Sequence, residues 1–179
     1  MKSTGRPGEG EFPPFAKIYV SHVYSDDVIQ VLTEQVSKTI AFIRSIGEER
    51  SQLPYAPGKW TVKQTIGHIS DTERIFSYRV LRIARGDTTP LPGFDQDAYV
   101  PNAGSNERSL DDLLQEFAVV RESTLTLLRG LPAEAWHRAG TASGFPVTVR
   151  GLVSTTAGHE LHHFKILQSL VNTSAESLG

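Results

Sequence analysis

Four stretches of the chain repeat apolar side chains every three or four residues, the spacing that lines them up along one stripe of an α-helix. The first opens near Asp26 or Asp27, sets Val28, Leu32, Val36, Thr39, Ile40, Ile43 and Ile46 on one side, and ends at Gly47. The second opens at Thr61, where the run to Gln64 has the form of a capping box, and continues to Arg85 before Gly86 with Val62, Ile66, Ile69, Phe76, Val80 and Ile83 facing inward. The third is capped by Ser109, aligns Leu110, Leu113, Leu114, Phe117, Leu125 and Leu128, and stops at Gly130 with Pro132 beyond. The fourth starts near Thr148 and carries Val149, Leu152, Val153, Thr156, Ile166, Leu167, Leu170 and Val171 on one face.

Helices of such similar length pack side by side, so the pattern predicts an all-α four-helix bundle with negligible strand content. Residues 1–25, rich in Gly and Pro, read as an N-terminal arm, 26–172 as the bundle and 173–179 as a C-terminal tail. The connections at 47–60, 86–108 and 131–147 exceed what a simple up-and-down bundle needs, which leaves room for a crossover. The longest, between the second and third helices, contains Leu91, Phe94 and Tyr99, so it is expected to be pinned to the body rather than free.

A length of 179 residues suits one domain. The net charge of -2 argues against nucleic acid or an acidic membrane surface as a partner. Arg74, Arg79, Arg82 and Arg85 scatter around the second helix and read as a solvated surface, not a phosphate-reading face. The absence of Cys excludes disulfides and a protein thiol nucleophile and fits the cytoplasm, and no stretch is apolar for long enough to span a membrane.

Three of the six histidines fall within five positions. His159 and His163 lie one turn apart on the apolar face of the fourth helix, the spacing at which two imidazoles share a cation, whereas His162 points about 100° away. The run His159-Glu160-Leu161-His162-His163 also satisfies the zinc-protease pattern HExxH, but the sixteen residues beyond it hold no third His and only Glu176 as a carboxylate. A third ligand from upstream is therefore needed. His68, on the second helix beside the arc through Ile69, fits best, since His22 and His137 sit in irregular segments. Three neutral imidazoles would leave a divalent ion open positions for water or substrate, and Zn, Ni, Fe and Co suit such a set about equally. The competing reading has the histidines satisfied by hydrogen bonds alone.

Three charges interrupt the apolar stripes: Glu73, Arg121 and Glu160. A salt bridge from Arg121 to either glutamate would satisfy them structurally, whereas a functional reading has one glutamate orienting a histidine or accepting a proton from activated water. Trp60 and Trp136, near helix termini, read as core plugs or staples.

Taken in order, Tyr55-Ala56-Pro57-Gly58-Lys59-Trp60-Thr61-Val62, Gly67-His68, Asp71-Thr72-Glu73-Arg74, Arg85-Gly86-Asp87, Leu91-Pro92-Gly93-Phe94-Asp95 and Gly158 to His163 resemble the DinB-like superfamily over roughly Val28 to Val171. The resemblance implies an up-down-down-up bundle, a metal triad of His68, His159 and His163 holding nickel or zinc (iron, cobalt or manganese being the alternatives), and a homodimer. Characterised members transfer groups onto low-molecular-weight thiols, which here would have to be supplied as a cofactor because the chain has no Cys. Many relatives carry Gln where this chain has Ile166. The reading that follows is a metal-dependent thiol S-transferase or hydrolase acting on a small molecule, with Glu160 or Glu73 as orienter or base and with Arg121 and Asp95 contacting cofactor or shaping the pocket mouth. The alternative is a noncatalytic binding module in which the ion staples two helices together.

Overall fold

The computed structural model describes residues 5–54 and 56–176, the last seven by their backbone alone, so that Tyr55 and the side chains of Leu170, Val171 and Glu176 lie outside the described residues. Seven α-helices follow in order: α1 (Lys17–Val20), α2 (Val28–Ile46), α3 (Glu48–Ser51), α4 (Val62–Ala84), α5 (Gln96–Asn102), α6 (Leu110–Arg129) and α7 (Val149–Glu176). The four long ones, α2, α4, α6 and α7, form the bundle. Their starts are chemically marked. Asp27 accepts from Gln30 N, Thr61 and Gln64 complete a reciprocal capping box, and Ser109 accepts from Asp112 N.

Cross-helix contacts fix the directions. Lys63 donates to the Arg108 carbonyl while Arg121 reaches Glu73, so α4 and α6 run parallel. Gln35 with Ala157, Thr39 with Glu160 and Phe42 with Phe164 make α2 and α7 parallel as well. Arg44, at the end of α2, meets Asp111 at the start of α6, which sets the pairs opposed in the up-down-down-up order. Two parallel neighbours in sequence explain the long 85–109 connection, because the chain must travel the length of the bundle before α6 can start.

The core is split in two. One apolar cluster gathers Leu32, Val80, Ile83, Leu125, Leu128, Leu152 and Val153, the other Ile43, Ile66, Ile69, Leu113, Leu114, Phe117 and Leu167. Between them every long helix turns polar inward: Gln35 and Thr39, Thr72 and Glu73, Arg121, and His159 and Glu160 are all buried. This layer is the place where the sequence interrupts its own hydrophobic stripes.

One expectation is corrected. The 131–147 connection contains a β-hairpin, with β1 (Ala139–Ala142) and β2 (Phe145–Thr148) antiparallel and joined by Ser143-Gly144. Both turn residues have positive φ, 53° and 81°, the twist a two-residue hairpin loop requires. Four-residue strands containing Gly, Ala and Pro show too little alternation to be legible, and the Ser-Gly step was the available signal.

The N-terminal arm is docked along α7. Glu11 takes two hydrogen bonds of 2.7 Å from Arg150 and one from Thr148, whose amide also donates to the Glu11 carbonyl. Backbone meets backbone here because α7 offers glycine: a Cβ at Gly151 would stand 1.9 Å from Glu11 O, and one at Gly158 2.0 Å from Tyr19 O. Gly158→Ala is therefore expected to lift the arm at about 1–3 kcal/mol of stability, the cost of overpacking a fitted contact, and limited proteolysis should then cut near residues 21–26. An uncut variant with wild-type melting temperature would contradict this.

The Arg150 guanidinium also holds the Glu11 carboxyl down at about 2, from an ordinary 4.5. A depressed folded-state pKa adds stability that is complete above about 4.5 and lost as pH falls toward 2. Glu11→Gln is expected to cost about 1–2 kcal/mol at neutral pH, the partial exposure of the pair discounting its full value, with the difference from wild type vanishing near pH 2. Denaturant melts across pH read this directly.

Candidate metal centre

His68 reaches the polar layer from α4, and His159 and His163 reach it from α7 one turn apart. Their ring nitrogens converge: His68 Nε2 and His163 Nε2 lie 3.0 and 3.2 Å from His159 Nε2. Two nitrogens held by one ion at about 2.1 Å and subtending 90–110° are themselves about 3.0–3.4 Å apart, so the spacing matches a shared cation. Protons match it less well. The single in-plane lone pair of a neutral imidazole nitrogen cannot accept fully from two neighbours at once.

The imidazoles are held neutral, the form that ligates metal. Burial lowers His68 to about 4 and His163 to about 3, the latter also opposed by neighbouring His68, and His159, buried between them, is driven well below its ordinary value. Thr72 Oγ1 stands 3.5 Å from His68 Nδ1, one turn along α4, and Trp60 packs its ring 4.8 Å from that of His68 and 6.4 Å from that of His163. The arm adds Tyr19, edge-on to His159 and His162 at 5.3 and 5.2 Å, while His162 stacks on His22 and sets its ring edge-on to that of His163 at 5.5 Å. Among the described residues these three histidines are the one group of potential ligands gathered closely enough to hold an ion.

The charged residues singled out in the sequence are brought together, but with one another. Arg121 donates from Nε and Nη2 to the two oxygens of Glu73 at 2.8 Å, from Nη2 to Glu160 Oε2 at 2.7 Å and from Nη1 to the Leu32 carbonyl. Thr39 gives its hydroxyl proton to the remaining Glu160 oxygen at 2.6 Å. Every carboxylate oxygen is thus engaged, and Arg121 lines neither of the two cavities beside the histidines, so these contacts form the salt-bridged arrangement that the sequence offered as the structural alternative. Asp95 caps α5 through the amides of Asp97 and Ala98, and its chain neighbours Phe94 and Gln96, rather than Asp95, face the cavity beside the histidines.

Two cavities meet at the cluster. A mainly apolar one of about 280 Å³ is bounded by the arm, α4, Phe94 and the hairpin, and touches His159. A polar one of about 310 Å³ touches His162 and His163 and is lined by Lys59, Trp60 and Asp97, with Tyr19 and Gln96 shared between the two. Sequence reasoning missed Trp60, Tyr19 and Arg79 as site residues. Trp60 was marked by its place one residue before a helix cap, whereas Tyr19 sits in an arm whose docking depends on glycines far away in sequence. One of the four arginines read as a solvated surface needs correction: Arg74 and Arg85 are exposed and Arg82 is partly so, whereas Arg79 is buried.

The fold is a four-helix bundle whose buried polar layer carries three converging imidazoles able to hold a metal ion. The DinB superfamily model matches residues 27–167, and the chain belongs to that superfamily. It is 22% identical over 151 residues to OB0413 of Oceanobacillus iheyensis, named as a candidate metal-dependent hydrolase, covering 83% of this chain and 84% of that one. It is 30% identical over 91 residues to YfiT of Bacillus subtilis, which carries the same description, covering 50% and 49% of the two chains. The solved structure of YfiT, described as a four-helix bundle of unusual topology, superposes with a TM-score of 0.75 at 20% identity over 86% of this chain and 91% of that one.

Proposed function

We propose that His68, His159 and His163 together bind one divalent metal ion and that the protein is a metal-dependent hydrolase of small molecules. The observation that carries this reading is the convergence of three neutral imidazole nitrogens within one ion's reach, open to two cavities. The naming of OB0413 and YfiT as metal-dependent hydrolases supports it. A divalent ion there supplies Lewis acidity and lowers the pKa of water it binds toward neutrality.

The chain's own residues do the rest. Thr72 and Trp60 fix the His68 ring, the Arg121 cluster braces α4, α6 and α7 behind the ligands, and the arm covers the site through Tyr19. The ligand set suits zinc, nickel, iron and cobalt about equally and the family resemblance favours zinc or nickel, so elemental analysis of tag-free protein identifies the metal. Expected are one equivalent of metal per chain and hydrolysis of an ester or amide panel that stops on chelation. Metal-free protein that keeps full activity overturns the proposal.

A second reading, S-transfer onto a low-molecular-weight thiol, draws support from the polar cavity beside His163, where Lys59 and Asp97 offer both signs of charge to a polar cofactor. The absence of Cys requires the thiol to come from outside. Consumption of an electrophile that depends on added thiol separates it from hydrolysis.

A further inference from the structure

Among the described residues two arginines are buried, and they differ in one respect. Arg121 faces two carboxylates. Arg79, 5% exposed, has no carboxylate partner among the described residues. Its Nη2 donates to the Pro92 carbonyl at 2.6 Å and to Ser143 Oγ at 3.0 Å, and its Nε and Nη1 hydrogens have no acceptor among these residues. The rings of Phe76 and Phe94 flank the guanidinium at 5.4 and 5.8 Å and hold it in place. A guanidinium stays charged, and one largely withdrawn from water with no carboxylate beside it favours an anion in the cavity that it faces.

The place of Arg79 says where that anion would sit. It lines the 280 Å³ cavity together with Thr72, Phe76, Phe94 and His159, and among the described residues no acidic side chain lines that cavity. On α4, His68, Thr72, Phe76 and Arg79 follow at intervals of four, four and three residues, one stripe spanning about 16 Å along the axis. Long helical side chains lean back toward the helix N-terminus, which on α4 is the side of His68, and the Phe76 ring nearly one turn back lies 5.4 Å from the Arg79 guanidinium. The cavity therefore has a cationic end, an apolar middle and the histidine cluster at its other end.

We propose that this cavity is a subsite for a small organic anion, a carboxylate carried on an apolar or aromatic body, with Arg79 as the anchor that sets the opposite end of the molecule at the histidine cluster. Its bearing on substrate choice rests on the hydrolase reading above; the binding of the anion does not. The volume admits a body of about one aromatic ring with a short chain, near the lower limit of small-molecule sites. Ser143 is held at positive φ where its hydroxyl accepts from Arg79, so the hairpin and the 85–95 segment are tied to the anchor.

The test uses 3-phenylpropionate and its neutral counterpart 3-phenylpropan-1-ol, titrated calorimetrically into the protein as purified and again after chelation. The expected result is at least tenfold tighter binding of the anion, retained after chelation, falling to within twofold of the alcohol in Arg79→Met and to an intermediate ratio in Arg79→Lys. Equal affinities, no binding of either, or a preference that survives in Arg79→Met overturns the proposal. So does a preference that vanishes on chelation, which would place the carboxylate on the metal. Should Arg79→Met not fold, the chelated wild-type protein and Arg79→Lys carry the comparison. A solely structural Arg79 would lower the melting temperature and leave the ratio unchanged. Absence of turnover on every ester and amide sinks the hydrolase reading and leaves this affinity ratio standing, so the two failures are distinguishable.

Discussion

His159→Ala is expected to abolish stoichiometric metal binding, with at least a hundredfold loss of affinity and of any metal-dependent turnover. The magnitude follows from position. His159 Nε2 is the nitrogen that both other imidazoles face, at 3.0 and 3.2 Å, so its removal would take away a proposed ligand and the atom common to both close pairs. Loss of a group that merely orients a ligand already costs about ten- to a hundredfold in metal affinity, and loss of a ligand costs more. Metal titration followed by calorimetry measures it, with His163→Ala as the companion because that residue is only partly buried and its removal endangers the fold least. Thermal melts give an independent reading. Metal at a hundred times its dissociation constant stabilises the wild-type protein by about 2.7 kcal/mol, and that increment should be missing from His159→Ala. Wild-type stoichiometry in both variants would place the ion elsewhere.

Arg121→Met is expected to cost about 3–5 kcal/mol, the largest effect on stability in the molecule, because it strands two carboxylates inside the bundle. Arg121 and its two partners are each about 1% exposed at the side chain, and the guanidinium connects α4, α7 and, through the Leu32 carbonyl, α2 to its own helix. The cost comes from what is left behind more than from what is lost. Replacing Glu73 and Glu160 by Gln in the same chain should therefore recover a large part of it. Urea denaturation of the single and triple variants reads both values. A single variant within 1 kcal/mol of wild type would mean that the carboxylates find water or each other's proton instead.

Histidine spacing and charge placement made the polar layer legible before any coordinates. Helical periodicity alone puts His159, His163 and Glu160 on α7 and His68 and Glu73 on α4, and a charge that interrupts an apolar stripe has to be paired or used. The pattern could not say which. Glu160 precedes Leu161 in a protease-like motif and looked equally fit to be a base. The contact that shows Glu160 paired is a 2.7 Å bond to a side chain 39 positions away. The same limit applies to Arg79, which shares α4 with Arg74 and Arg82 and differs from them in that the hairpin tip and Phe94 fold over it and no carboxylate among the described residues pairs with it.

The amino-acid order thus determined the four long helices, their caps, the inward stripes and the two segments that carry the imidazoles, because each depends on neighbours within a few residues along the chain. Tertiary structure alone decided that the imidazoles meet, that the glutamates turn to Arg121, that the arm closes over the site on Gly151 and Gly158, and that Arg79 is buried with no counter-ion among the described residues. Each of these is a relation between residues many positions apart. Such a relation is fixed by how whole helices and loops share space, and local propensity carries no record of it.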